Sequence, residues 1–215
     1  SKTVLENVKF PLDMLTNMSE KEKIDRAEFC LQRVGLENAG QRTPSEISGG
    51  MKKRVGIARA IVMNPKYLFC DEPNSGLDPL TSVKIDELIK EITDEFGITT
   101  VVITHDMSSV MGIGESIMFL YKGKKLWEGD NSNILQNTVP ELNEFLYFLI
   151  YSEGVIPKSF TNCCLKYFES SICLFAKTLK ILSKANAKTT IELQTLKTSL
   201  LVLVRVKYDK EWKIE

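Results

Sequence analysis

KYLFCDEPNSGLD, residues 66–78, is the stretch around which the rest of the chain is organised. A short apolar run, Tyr67-Leu68-Phe69-Cys70, stops at two carboxylates, Asp71 and Glu72. Pro73 and Gly76 follow, so the run cannot continue as a helix and reads as a strand. Two readings are open for this stretch alone. It is a strand that leaves the core at a polar turn, or a buried strand that delivers two acids to the C-terminal edge of a sheet, where open α/β sheets bind ligands. Adjacent acids at a buried strand end are costly unless a cation or a proton is handled there.

Downstream, Pro79 stands at a first-turn position with Asp78 as its cap. Val83, Ile85, Leu88, Ile89 and Ile92 make the apolar side of the helix that follows, and Gly97 ends it. TTVVIT, residues 99–104, reads as a strand apolar on both faces, as in a parallel sheet covered by helices. It ends in His105-Asp106, and His105 is the only histidine in the chain. A lone histidine is ordinarily structural. Strands joined by a helix crossover, however, bring both ends to one edge, so His105 is expected to converge with Asp71 and Glu72.

Upstream, Ile47-Ser48-Gly49-Gly50-Met51 opens a helix whose apolar face is Val55, Ala58, Ile61 and Val62, ended by Asn64-Pro65. A Ser-Gly-Gly helix start is an ordinary capped terminus or an anion site, where close backbone approach and free N–H groups favour a phosphate. Lys52–Arg54 reads as a solvated face or a phosphate clamp. Further upstream, Ser19 and Glu22 form a capping box for a helix with Ile24, Ala27, Leu31 and Val34 on one face and Gly35 as its stop. The charged face of that helix reads as solvated. Residues 36–46 read as a loop, and Val4–Leu15, interrupted by Pro11, as a turn or short helix followed by an extended piece.

Past residue 106, Met107–Glu115 reads as a helix, and Ile117–Tyr121 with Lys124–Glu128 as a hairpin turning at Lys122-Gly123. Asp130–Gln136 and Glu141–Phe148 read as closing helices. Thr161–Ser183 is compatible with a helix, and Ser199–Tyr208 with a helix or strand.

The net charge is zero, which gives no sign of a nucleic-acid footprint. The balance is uneven, with 17 Lys and Arg against 22 Asp and Glu in residues 1–150, and 11 against 6 afterwards. Cys30, Cys70, Cys163, Cys164 and Cys173 show no paired metal spacing, and their odd number fits a reducing compartment. No apolar run approaches the roughly 20 residues of a membrane span.

Together these pieces resemble the ATP-binding subunit of an ABC transporter. ISGGM (47–51) is similar to the signature loop, with Met51 where Gln is commoner, and KKRVGIARAI (52–61) to the helix after it. YLFCDE (67–72) resembles Walker B, SGLD (75–78) the D-loop, and VVITHD (101–106) the switch strand and its histidine. The resemblance covers about residues 1–147. Within the family, the Met of SGGM, the basic helix start, DEP-x-x-GLDP-x-T, THDM and the YKGK hairpin resemble the ATPases of Mla/MCE-type lipid (phospholipid) transport systems.

The resemblance implies an α/β fold: the C-terminal part of a P-loop NTPase (ABC ATPase) domain with its helical subdomain, plus an unassigned tail. Residues 1–46 correspond to part of the helical subdomain and 47–148 to the Walker B half of the core. Residues 149–215 are an unassigned C-terminal extension, for which a reading out of the family frame is also open. The implied cofactors are ATP and Mg²⁺. Asp71 holds the metal, through water where the family does so, Glu72 orients the attacking water, and His105 contacts the γ-phosphate. Ser48, Gly49, Gly50 and Met51 face ATP held by the opposite subunit of a head-to-tail dimer, and Asp78 joins the two sites. The other implied partner is a transmembrane permease, which places the chain in the cytoplasm, peripheral on the inner face of the membrane and away from nucleic acid. No G-x-x-x-x-G-K-[ST] occurs in the sequence. The alternative is therefore a truncated, non-catalytic fragment acting as an interaction module, and little ATP hydrolysis is expected of this chain alone.

Overall fold

The computed structural model of the protein describes residues 2–152 and 200–205. These fall into two compact units, one built on 2–118, 128–134 and 202–205, the other on 119–127, 135–152 and 200–201. The helix expected at Thr161–Ser183 lies outside the described residues, as do Cys163, Cys164 and Cys173.

The first unit begins with three helices, α1 (Val4–Leu15), α2 (Glu20–Arg33) and α3 (Gly49–Ile61), packed on one another. Helix α1 corrects the expectation of a short helix and an extended piece, since it runs unbroken through Pro11. Two features outweigh the lost N–H. Thr3 and Glu6 form a capping box, and Val4, Val8 and Leu12 bury one stripe completely or nearly so. The first amides of α1 are also taken by the loop after α2, Val4 N–H by the Arg42 carbonyl at 2.8 Å and Leu5 N–H by that of Gly40 at 2.9 Å.

Helix α2 has the expected Ser19–Glu22 box, and Gly35 turns the chain at φ +66°. Its charged side is not merely solvated. Arg26 donates to the carbonyls of Val62 (3.0 Å) and Ile61 (3.3 Å) at the end of α3. Arg54 of α3 donates to those of Val34 (3.2 Å) and Gly35 (3.4 Å) at the end of α2. Each helix thus caps the other's open C-terminus with a cation, which suits both the orphan carbonyls and the negative dipole end. In α3 the buried side chains are Ile57, Ala58 and Ile61, while Val55 is only half-buried.

The α/β part follows. Strand β1 (Tyr67–Asp71) pairs in parallel with β2 (Thr99–Thr104), with Asp71 opposite Ile103. The helix between them, α4 (Pro79–Phe96), is capped by Asp78 and ended by Gly97 at φ +62°. Ile85, Ile89 and Ile92 are buried, whereas Val83, expected on the apolar side, is exposed. The buried face continues instead through Asp86 and Thr93. Thr93 and Thr100 of β2 share a 2.6 Å hydrogen bond between buried hydroxyls. Strand β1 is not the buried strand expected, for Leu68 is covered but Tyr67 and Phe69 are exposed. In β2, Thr100, Val102 and Thr104 are buried and Thr99, Val101 and Ile103 only half-buried. The alternation shows one face of this strand pair better covered than the other, with Cys70 half-buried, where cover on both was expected.

Helix α5 (Met107–Ile113) leads to β3 (Ser116–Tyr121) and β4 (Lys124–Gly129), which turn at Lys122 (φ +47°) and Gly123 (φ +74°) as expected. Asp130–Gln136 is not a full helix; it holds a 3-10 turn at Ile134–Gln136. Of the segment expected as helix or strand, Leu200–Arg205 forms strand β5, antiparallel to β2. In the second unit, helix α6 (Pro140–Ser152) begins one residue before the expected Glu141. Its Leu142, Phe145 and Leu146 are buried, with the Phe145 ring 6.0 Å from that of Phe119.

Beneath the turn after β1 lies a polar layer. Asn74 donates to Asp86 Oδ1 at 2.8 Å and to Ser109 Oγ at 2.9 Å, all three buried. Burial pushes the Asp86 carboxyl up, opposed by hydrogen bonds from Ser109 and Asn74 and reinforced by the charge of Asp106.

This packing has two testable consequences. A Cβ on Gly50 would meet Thr81 Cγ2 at 2.8 Å, and Thr81 is held by its own bond to Asp78, so Gly50→Ala should cost about 1–3 kcal/mol in chemical denaturation. Thr81→Ser in the same chain should recover most of that loss, because it removes Cγ2 and keeps the hydroxyl. Asp86 has a folded pKa above its unfolded one, so its contribution to stability is present below the unfolded pKa and lost as pH rises through the folded one. Asp86→Asn should therefore raise the melting temperature at pH 7, by an amount equivalent to about 1 kcal/mol. The gain should shrink as the pH falls through the carboxylate range; a gain independent of pH would show that ionisation is not its cause.

Candidate functional site

The parallel register brings the ends of β1 and β2 side by side. The amide of Glu72 donates to the Ile103 carbonyl at 2.9 Å, carrying the ladder one residue past the strand. Glu72 then turns at φ +47°, a left-handed conformation that costs a non-glycine residue of order 1 kcal/mol or more. The outcome is that Glu72 Oε1 and His105 Nδ1 meet at 2.6 Å, both side chains partly open to solvent. An ionised carboxylate only accepts, so Nδ1 donates and Nε2 is left for another partner. The expected convergence of the acid pair with the histidine is thus realised through Glu72. Asp71 sits at the strand end with its residue exposed.

The start of α3 lies against the turn that follows Glu72. Ser48 Oγ accepts from Met51 N–H at 3.2 Å. A Cβ on Gly49 would stand 3.6 Å from Leu77, and one on Gly50 would clash with Thr81. Gly50 therefore serves the close packing of α3 on Thr81 as well as any anion at the helix start, whereas a Cβ on Gly49 would make only ordinary contact. Asp78 accepts from Thr81 N–H at 3.0 Å and Thr81 Oγ1 at 2.6 Å. Those bonds hold its carboxyl below the usual range, so it is a charged cap at neutral pH.

Among the described residues no three His, Cys, Asp or Glu side chains form a metal cluster. A lone carboxylate such as Asp71 suits Mg²⁺, which keeps several waters and takes its other ligands from phosphates. Cys70 lies on β1 beside the acids, but burial pushes its thiol up to about 11, which excludes a thiolate nucleophile at neutral pH. No described helix is long and apolar enough to cross a membrane.

Sequence reasoning missed two elements. The Asn74–Asp86–Ser109 layer fixes the turn between Glu72 and Asp78 to α4 and α5. Its signal was available, since Asp86 falls one residue from Ile85 and three from Ile89, on the buried side of α4. Lys53, whose Nζ donates to the Glu72 carbonyl at 3.0 Å, carried no such signal, because its partner lies 19 residues away.

The ABC transporter family pattern matches residues 1–75. The chain is similar to a methionine import ATP-binding protein of Bacillus subtilis (strain 168), 39% identical over 144 residues, which is 67% of this chain and 42% of that protein. A relative of the same description from Carboxydothermus hydrogenoformans is 42% identical over 71% of this chain and 45% of its own. The chain thus spans less than half the length of these curated relatives. Among solved structures, the dimeric ATP-binding cassette MJ0796 in a post-hydrolysis state with ADP and Pi is 38% identical with a TM-score of 0.54, over 60% of this chain and 57% of that one. These relatives are named for methionine import, and the expected lipid-transport subfamily gains no support from them. Motifs, strand-end geometry and these likenesses agree that the chain carries part of an ABC transporter ATP-binding domain.

Proposed function

We propose that this domain hydrolyses ATP to drive a membrane transporter, with Glu72 and His105 as its catalytic pair. The observation that carries the reading is the 2.6 Å contact between Glu72 Oε1 and His105 Nδ1 at adjoining strand ends. Glu72 orients and polarises the attacking water, and His105 keeps Nε2 for the phosphate group under attack. Asp71 would hold Mg²⁺, directly or through water, and the metal would neutralise phosphate charge. ATP supplies the phosphoryl group, and its transfer needs positioning and charge neutralisation more than covalent help. Ser48, Gly49, Gly50 and Met51 form the anion-binding helix start that serves ATP on the opposite subunit of a dimer, and Asp78 links the two sites. The 215 residues hold no G-x-x-x-x-G-K-[ST], so the test below supplies the cradle for the β- and γ-phosphates from a relative.

On this reading residues 1–46 belong to the helical subdomain, 47–148 to the Walker B half of the core, and 149–215 to an extension. The domain works on the cytoplasmic face of a membrane against a permease subunit. For the cargo we take a small amino acid of the methionine kind rather than a lipid, from the printed names of the relatives. Met51 and THDM, among the features that suggested lipid transport, belong to motifs that this reading assigns to ATP handling rather than to cargo.

The test is a hybrid in which the aligned 144 residues of this chain replace those of the Bacillus subtilis relative. The hybrid should hydrolyse Mg-ATP and restore methionine uptake to a strain lacking that relative. Glu72→Gln should lower kcat by about 10²–10⁴-fold with ATP binding retained. A hybrid that binds ATP but hydrolyses it equally well after the Glu72→Gln substitution would refute the catalytic assignment. Active ATPase without methionine uptake would overturn the cargo reading alone.

A further inference from the structure

Glu72 is held at four points, and one of them comes from a different part of the fold. Its N–H is taken by Ile103 of β2 at 2.9 Å, and its carbonyl accepts from Ser75 N–H at 3.2 Å. Its carboxylate meets His105. The fourth point is Lys53, on the second turn of α3, whose Nζ donates to the same carbonyl at 3.0 Å. The cation goes to the backbone oxygen, and the described ion pairs of Glu72 include His105 but not Lys53. The carboxylate is thereby left to the histidine. The anchored peptide is the one in the left-handed conformation, at φ +47°, which persists only where surrounding contacts over-determine it.

We infer that Lys53 is a positioning residue: it pins the strained Glu72 peptide so that the carboxylate faces His105, and it ties that carboxylate to the helix opened by Ser48-Gly49-Gly50. The geometry gives this link a direction. Helix α3 is rigidly tied to α2 by the reciprocal Arg26 and Arg54 caps and packs on α1 and α4. A displacement of α3, as when an anion engages its N-terminus, pulls on the Glu72 carbonyl through a charge-assisted hydrogen bond, the stronger kind. Loss of the ammonium frees the carbonyl end of Glu72 and lets the strand bond on its N–H side open more often.

This role rests on the ATPase reading for its importance but not for its detection. The experiment therefore uses the nucleotide-free 215-residue chain, in which His105 supplies the only imidazole signals. In Lys53→Met, the amide of Glu72 should exchange about 10-fold faster, the worth of one hydrogen bond. The ring nitrogen shifts of His105 should move toward those of an imidazole released from a carboxylate. Lys53→Arg, which keeps a donor at that site, should restore both to near the parent values, and Lys52→Met, one residue away, should change neither. Amides of Ile89 and Ile92 in α4 should exchange as in the parent, separating a local effect from general loosening. Unchanged Glu72 exchange and unchanged His105 shifts in Lys53→Met would overturn the inference, as would a response that Lys53→Arg fails to rescue. If the coupling is present but the hybrid cassette fails to hydrolyse ATP, the positioning role stands and the ATPase reading falls.

Discussion

Glu72 and His105 lie 33 residues apart in the chain, yet their side chains share a 2.6 Å hydrogen bond. That contact requires β1 and β2 to run parallel in the observed register, so that residues just past each strand emerge together. It requires Glu72 to accept a left-handed backbone, since an extended residue there would send its side chain out from a face of the sheet. It also requires the following turn to be held down. Asn74 does this from below through Asp86 and Ser109, and Asp78 does it from the far side by capping α4. The pair is therefore the product of a sheet register, a strained residue and two capped or buried turns.

The helical part contributes by being stiff. Helices α2 and α3 exchange arginines at their C-terminal ends, Arg26 toward Ile61 and Val62, Arg54 toward Val34 and Gly35. Orphan carbonyls are among the weak points of any helix, and here two at each end are bonded from the neighbour, which braces the two helices against each other. Close packing of Gly50 on Thr81 passes that rigidity to α4.

Much of this was legible in the sequence for identifiable reasons. Ser19–Glu22, Asp78–Pro79 and Gly97 mark helix ends by local chemistry that needs no tertiary context, and the observed helices begin and end there. The apolar runs ending in Asp71-Glu72 and His105 gave the two strands and their shared edge. What failed was read too locally. Pro11 was weighted as a breaker although Thr3–Glu6 and the Val4–Val8–Leu12 stripe were present to carry the helix through it. Apolar character puts Val83 on the inner face of α4, yet it is exposed, and Asp86 is buried there because Asn74 and Ser109 reach it. The exposure of Tyr67 and Phe69 could not be read from their apolar character, since periodicity does not say what covers a strand. The contacts of Arg26, Lys53 and Arg54 depend on chain segments that only the fold brings together.

The central claim is that Glu72 and His105 form one catalytic unit. The most direct measurement is a double-variant cycle on kcat in the hybrid cassette, comparing Glu72→Gln, His105→Ala and the combination. Residues that act as a unit are strongly non-additive. The account predicts that the combined variant is no slower than the slower single one, to within about twofold. Losses that multiply would show two independent contributions and would contradict it.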